Sequence, residues 1–286
     1  MTQDQLIQNW LMSSEKLSER LAKYDGLPAI FREVTPDDQQ AGWCGRSQYP
    51  RICYRKDMQT NQERSAAGTL YLVIYTDTQS AEIFELERIC KRHLQDVIMK
   101  ASGEAPFSLA WASEESFNLE GTNVYGKELV FDIHEYPRHM TTDPDPEQAL
   151  AYFIKALYPE AVVLGIDQVG DYTDAESQPV FYIELTTISQ TTGHCSNSIV
   201  WFNTQLSVHL LHPDARVRMR MIAAVEQALA ENGEIIMIDQ SPMEIRGLEM
   251  NNKSDYVKEG QLTVSGKYGV LRSIEKKHGL SFEIGY

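Results

Sequence analysis

Between residues 5 and 24 apolar side chains recur at spacings of three, four and seven: Leu6, Ile7, Trp10, Leu11, Leu17, Leu21 and Tyr24. That stripe predicts a helix of about five turns, ended by Gly26 and Pro28. A loop rich in Pro, Gly and Gln follows over 35–50, then a short strand over 51–55. The run 56–68 is polar and rich in Gln and Asn, too long for a tight hairpin turn, and predicts a projecting arm. Residues 69–76 (TLYLVIYT) are almost continuously apolar and β-forming, which predicts a central strand buried on both faces. From Ala81 to Met99 the period turns helical, with Ile83, Leu86, Cys90, Leu94 and Val97 on one face. Short strands are expected at 107–111 and 117–119, and a longer one at 125–136.

The stretch TTDPDP at 141–146 reads as a linker. Asp145 is placed to cap the helix that follows, Pro146 suits its first position, and Gln148 completes a capping-box-like pattern. That helix carries Leu150, Tyr152, Phe153, Ile154 and Leu157 and stops before Pro159. Strands are expected over 162–169, 180–187 and 199–211. A second long helix starts at Pro213-Asp214, has Val217, Met221, Ala224, Val225 and Ala228 on its face, and closes at Gly233. Strands over 234–239, 243–250 and 260–265 complete the chain.

The second half thus repeats the order of the first. Leu70–Tyr75 with its helix matches Leu206–Leu211 with its own, offset by about 136 positions. Trp111-Ala112-Ser113 is set against Ile238–Ser241, and Glu128–Tyr136 against Gly260–Tyr268. The expected fold is α+β, with two tandem similar domains at 1–140 and 146–286 joined by a linker at 141–145. Each has a mixed or antiparallel sheet packed by one long helix plus an N-terminal helix. Tandem duplication is favoured over chance similarity of two α+β domains.

Composition narrows the function. The 286 residues carry 26 Lys+Arg against 41 Asp+Glu, a formal charge of −15. Such a balance argues against wrapping nucleic acid, which needs a basic face, while an acidic wall suits a passage through which DNA slides. Apolar residues at 42% allow real cores, so wholesale disorder is excluded. No run of about 18 apolar residues is present, so no membrane span is expected, and the acidic start lacks the apolar region of a secretory signal. Cys44, Cys53, Cys90 and Cys195 stand far apart, favouring reduced thiols over a zinc cage or a disulfide framework.

Catalytic motifs are missing: no phosphate loop, no G-x-G-x-x-G, no H-E-x-x-H, no G-x-S-x-G. In His194-Cys195 the neighbours point apart on an extended segment, so the imidazole is not placed as the base of the thiol. His134 and His139, near Asp143 and Asp145, share neither a helix face nor a strand face and read as solvated loop residues rather than metal ligands. Glu114-Glu115 reads as a carboxylate pair in a turn without a fixed separation. Arg216, Arg218 and Arg220 spread round their helix as a solvated face or a subunit contact. Asn252-Lys253-Ser254 fits a glycosylation sequon, irrelevant without a secretory signal. No catalytic, cofactor-binding or metal residues are assigned, and no cofactor.

One family resemblance covers most of the chain. The segment Gln62-Glu63-Arg64-Ser65-Ala66-Ala67-Gly68-Thr69-Leu70-Tyr71-Leu72-Val73-Ile74, the Ile83 helix and the strand Val130-Phe131-Asp132-Ile133 resemble tail terminator (tail completion) proteins of tailed bacteriophages and phage-like elements. Ser207–Leu211, the Asp214 helix and Tyr268-Gly269-Val270-Leu271-Arg272 resemble the same module. The resemblance implies small α+β domains that form a six-fold ring on the tail tube, halt its polymerisation and dock the head connector. Two copies per chain depart from the usual single domain, so a hexamer and a trimeric pseudo-hexamer are both open, the hexamer favoured. Implied partners are further copies of the chain, the tube protein and the head connector or neck protein, with DNA passing the lumen unbound and no membrane. The implied location is the head-proximal end of a virion tail, after synthesis in the bacterial cytoplasm. The arm is read either as a reach to a neighbour or as an ordinary surface loop; its candidate contact residues are Arg55, Lys56, Asp57, Gln59, Asn61, Glu63 and Arg64. Competing functions are a head–tail connector or neck component, a cytosolic enzyme with a Cys195-based site, and an adaptor that binds between its domains.

Overall fold

Stretches with period two assemble into two large sheets, and the helical stretches cover one face of each. The computed structural model describes residues 1–45, 47–59, 66–77, 81–137, 142–191 and 198–272. Its helices are α1 (Gln3–Ser13), α2 (Glu15–Arg20), α3 (Ala81–Leu94), α4 (Pro146–Leu157) and α5 (Ala215–Asn232). Strands β1 (Lys23–Tyr24), β2 (Leu27–Pro28) and β4 (Trp43–Cys44) form a small sheet, with β3 (Ile30–Arg32) between them in sequence. The longer strands of the first half are β5 (Arg51–Met58), β6 (Gly68–Thr76), β7 (Val97–Lys100), β8 (Pro106–Asn118) and β9 (Tyr125–Glu135). The second half has β10 (Val162–Val163), β11 (Tyr172–Asp174), β12 (Val180–Gln190), β13 (Ile199–Leu211), β14 (Glu234–Ile236), β15 (Pro242–Met250) and β16 (Leu262–Leu271). The class is α+β.

The first large sheet has the order β11-β7-β8-β9-β6-β5-β3, the second β10-β12-β13-β16-β15-β14. Reversed, the second reads β14-β15-β16-β13-β12-β10, which is the first without β11. In each, an antiparallel hairpin leads to the long helix, a short strand and a meander, and a parallel strand flanks the hairpin. The β8–β9 ladder shifts register between Trp111 and Ser113, and the β15–β16 ladder between Ile245 and Gly247. These bulges set Trp111 opposite Ile245 in the comparison, not opposite Ile238–Ser241 as the sequence pattern suggested. A bulge pins register because a one-residue slip would turn every core side chain to the other face.

Each sheet has its own core. Leu6, Leu11, Leu72, Leu86, Cys90 and Phe131 meet under α1 and α3. Leu150, Phe181, Val208, Ile222, Val225 and Tyr268 meet under α4 and α5. A third cluster, with Ile98, Tyr136, Val162, Leu164, Tyr182 and Leu211, forms a seam between the two halves. Burying an aliphatic side chain such as Ile98 or Leu211 contributes about 1.5–3 kcal/mol.

Local chemistry explains several boundaries. The long N-terminal helix expected over 5–24 is two helices, because Ser14 ends α1 and its Oγ accepts the Leu17 N–H at 3.4 Å to start α2. Asp25 and Gly26, both with positive φ (49° and 81°), form the two-residue turn between β1 and β2, a geometry Gly adopts without penalty. Asp145 caps α4 through its Oδ1, at 3.0 Å from the Glu147 N–H, with Pro146 as first residue. Gly233 closes α5 in the left-handed region at φ 68°.

Other expectations change. Strand β6 is central but alternates between buried and half-buried residues, since among the described residues no layer covers its second face as helices cover the first. Helix α3 stops at Leu94; Asp96 turns the chain at φ 58°, and Val97–Lys100 become β7. The strands expected at 107–111 and 117–119 are one, because the polar residues between them sit exposed on a ladder that continues past the bulge. Strand pairing over 162–169 is confined to 162–163, and that over 234–239 to 234–236, while 260–265 extends to 271.

Candidate functional site

Polar side chains concentrate where the two halves meet. Strand β11, from the second half, lies along the free side of β7, with Thr173 opposite Ile98. The Tyr172 hydroxyl donates to the Leu6 carbonyl at 2.9 Å, and its ring stacks on Trp10 at 4.9 Å. From the loop between β15 and β16, the Tyr256 hydroxyl donates to Asp96 Oδ1 at 2.7 Å and Lys258 donates to Asp132 Oδ2 at 2.7 Å. That loop is shaped by Asp255, whose Oδ1 accepts the Val257 N–H at 2.9 Å. The Arg218 guanidinium lies 3.9 Å over the Tyr256 ring and donates to the Pro213 carbonyl at 3.0 Å. It is therefore held at the start of α5 rather than spread on a solvated face. Deeper in the seam, Tyr136 shares a 2.6 Å hydrogen bond with Ser108 and meets the Tyr182 ring edge-on at 5.1 Å.

Burial pushes the Asp96 carboxyl above the usual carboxylate range, against the opposing pull of the Tyr256 hydrogen bond and of Arg218. Burial likewise raises Tyr136 and Tyr256. Asp96, Ile98, Ser108, Trp111, Leu211 and Tyr256 line a groove of about 130 Å³. Asp255 lines it as well; Tyr256 is committed to Asp96, Ser108 to Tyr136, and Asp255 to the N–H groups of Val257 and Lys258, so the arrangement joins the two sheets.

A second polar group lies beneath α3. Lys91 and Lys127 sit between Glu87 and Glu114: Lys91 donates to Glu87 at 2.8 Å and Lys127 approaches Glu114 at 3.2 Å, with Lys127–Glu87 and Lys91–Glu114 also paired. The Lys127 side chain is only 5% exposed. Burial disfavours its charge, yet the hydrogen bonds to Glu87 and Glu114 leave its pKa raised. The Lys91 hydrogen bond foremost, with Lys127, holds the Glu114 carboxyl down to about 2. Glu114 and Glu115 thus stand in a strand, not a turn, and Glu114 belongs to an ion network.

Among the other candidates, His134 lies in β9 at 4% exposure, not in a solvated loop, while His139, His194 and Cys195 fall outside the described residues. Cys90 is fully buried and its thiol is pushed up to about 12 by burial, Cys53 is also raised by burial, and Cys44 is exposed. Among the described residues no three His, Cys, Asp or Glu side chains converge as metal ligands.

The expected arm is shorter than the sequence suggested. Arg55, Lys56 and Asp57 lie within β5, paired to Tyr71, Leu70 and Thr69, because the ladder runs on to Met58–Gly68. Gln59 extends it by donating its N–H to the Ala67 carbonyl at 2.8 Å. The Arg55 guanidinium rests 4.5 Å over the Tyr71 ring, and Lys56 donates to Gln3 Oε1 at 2.8 Å. Asn61, Glu63 and Arg64 lie outside the described residues. In the second half the strands expected over 180–187 and 199–211 pair as an equivalent hairpin, β12–β13, whose first strand runs on to Gln190 and whose polar stretch 189–198 parallels 59–67 in sequence. Its Thr187–Gln190 segment is exposed, and Lys267 sits 5.0 Å over Trp201 beside it.

On the outer face of the first sheet, Arg51 is framed by the rings of Tyr49 at 4.6 Å, Trp43 at 5.5 Å and Tyr75 at 5.9 Å. No protein-family model matches the sequence, and no curated protein matches it either.

Proposed function

We propose that the chain is a non-enzymatic structural protein of a phage-type tail. In this reading it forms a ring at the head-proximal end of the tail tube, stops tube polymerisation and offers the head connector a docking surface. The observation that carries it is the doubled architecture: two sheets of the same strand order, with bulges at matching places, joined by an apolar seam. The two blocks are the domains 1–140 and 146–286 around a linker at 141–145, products of one duplicated unit. A block that docks on a copy of itself in a head-to-tail manner has the geometry from which closed rings are built.

The hairpins β5–β6 and β12–β13 leave equivalent corners of the two sheets and supply parts that reach a neighbour or the tube. A formal charge of −15 per chain, repeated around a bore, repels the phosphates of passing DNA. Partners are then other copies of the chain, as a hexamer or a trimeric pseudo-hexamer, together with tube protein and connector, and the location is the virion tail. Negative-stain imaging of the chain mixed with tube protein tests this. Annuli of one diameter on tube ends, and tubes of capped length, are expected; bare tubes of unaltered length would sink the reading.

A further inference from the structure

Strands β7 and β14 hold equivalent places in the two sheets, yet one is covered and the other is open. Val97 and Met99 face the first core at 2% and 0% exposure, as Ile235 and Met237 face the second at 4% and 1%. Between them, Ile98 is 1% exposed and Ile236 is 52% exposed. Ile98 is buried because β11 runs along the free side of β7 and the seam closes over it. Among the described residues no strand pairs with the corresponding side of β14. The N–H groups of Ile245 and Met237 bond the carbonyls of Gly233 and Ser241, so the ladder uses alternate residues. The backbone N–H and C=O of Glu234 and Ile236 therefore point to the open edge. Ile238, 56% exposed, extends the apolar strip.

We propose that a second copy of this chain covers β14 with its N-terminal half, repeating between molecules the contact that the C-terminal half makes with β7 within one. The template is the seam itself. The seam's Tyr182 and Val180 on β12 correspond, across the repeat, to Arg51 and Tyr49 at the start of β5. The residues 164–179, which carry β11 between β10 and β12, correspond to 33–48 between β3 and β5. The N-terminal half presents there Val34, 77% exposed, and the half-buried rings of Trp43 and Tyr49, which pack on an Arg51 that is itself paired with Asp38 at 2.7 Å. Aromatic rings are among the side chains that anchor interfaces. Because the two surfaces differ, the contact is heterologous and propagates until it closes.

The inference deepens the ring reading and rests on it only for closure; self-association at β14 is measured without any tail protein. Sedimentation velocity of the full chain over a concentration series should show dimers and larger species. Ile236→Lys, at an exposed position, should weaken association by about 30-fold or more, and Val34→Lys, also at an exposed position, should do the same from the other surface. Mixing the two variants should restore a dimer but nothing larger, since each retains the surface the other lacks. A chain that stays monomeric, or association unchanged by Ile236→Lys, overturns the proposal. Association that passes these tests while tubes stay uncapped would instead overturn the tail reading alone.

Discussion

The hydroxyl of Tyr256 and the carboxylate of Asp96 meet at 2.7 Å across the seam, joining a loop of the second half to the turn that ends α3. Tyr256→Phe removes the donor and leaves a buried carboxylate short of a partner, which costs about 1–3 kcal/mol. Urea unfolding should show the midpoint falling accordingly, and an unchanged midpoint would mean that the pair contributes nothing.

The same carboxylate sets a pH dependence. Burial raises its pKa in the folded protein, so the folded state holds the proton to higher pH than the unfolded chain. Stability from this group is greatest at low pH and declines as pH rises above the ordinary carboxylate range. Glu114 acts in the opposite direction. Its contribution is complete above its ordinary pKa and is lost as pH falls toward about 2. Asp96→Asn should flatten the first limb and Glu114→Gln the second, as read from unfolding midpoints between neutral pH and about pH 2.

Lys127→Met replaces a buried cation by a side chain of similar length and leaves Glu87 and Glu114 facing each other. Breaking a buried ion network in this way costs about 3 kcal/mol. Lys91→Met, at a side chain 22% exposed, should cost less. Equal losses for the two would contradict the placement of Lys127 at the centre of the network.

Gly260 takes φ 75°, and a Cβ there would lie 2.4 Å from Ser207 Oγ and 2.9 Å from the Val208 carbonyl. Gly260→Ala should destabilise by about 2 kcal/mol, from backbone strain together with displacement of Ser207. Asp145→Ala, which removes only the cap of α4, should cost about 1 kcal/mol. Thermal melts of the two variants would rank them, and the reverse order would contradict the tightness at Gly260.

Where the determinants are local, the sequence was sufficient. The run TLYLVIYT became β6, the Asp145-Pro146 start became α4, and Asp214 and Gly233 bracket α5. What escaped depends on distant partners. Nothing near Tyr172 says that it will pair with Met99, and nothing near Asp96 says that Tyr256 will reach it. The break at Ser14 was visible in principle, as a serine pair inside a periodic stretch, but the apolar stripe continues across it. The strands of the second hairpin were legible but their ladder runs on to Gln190 through polar residues, and the first arm looked longer because its ladder likewise reaches Met58. The seam was invisible because Tyr136, Tyr182 and Leu211 each belong to an ordinary strand pattern and become a cluster only when two sheets meet.

Strand β11 gives the margin of the first sheet to the second half of the chain. A gene cut near residue 145 would therefore strip Ile98 of its cover and release a half-molecule with a raw, sticky border, prone to seize another like it. If the unit was copied in the past, the copies have since become mutually dependent. Substitutions at Tyr172 or Thr173 should be answered by changes more than seventy residues upstream, in β7.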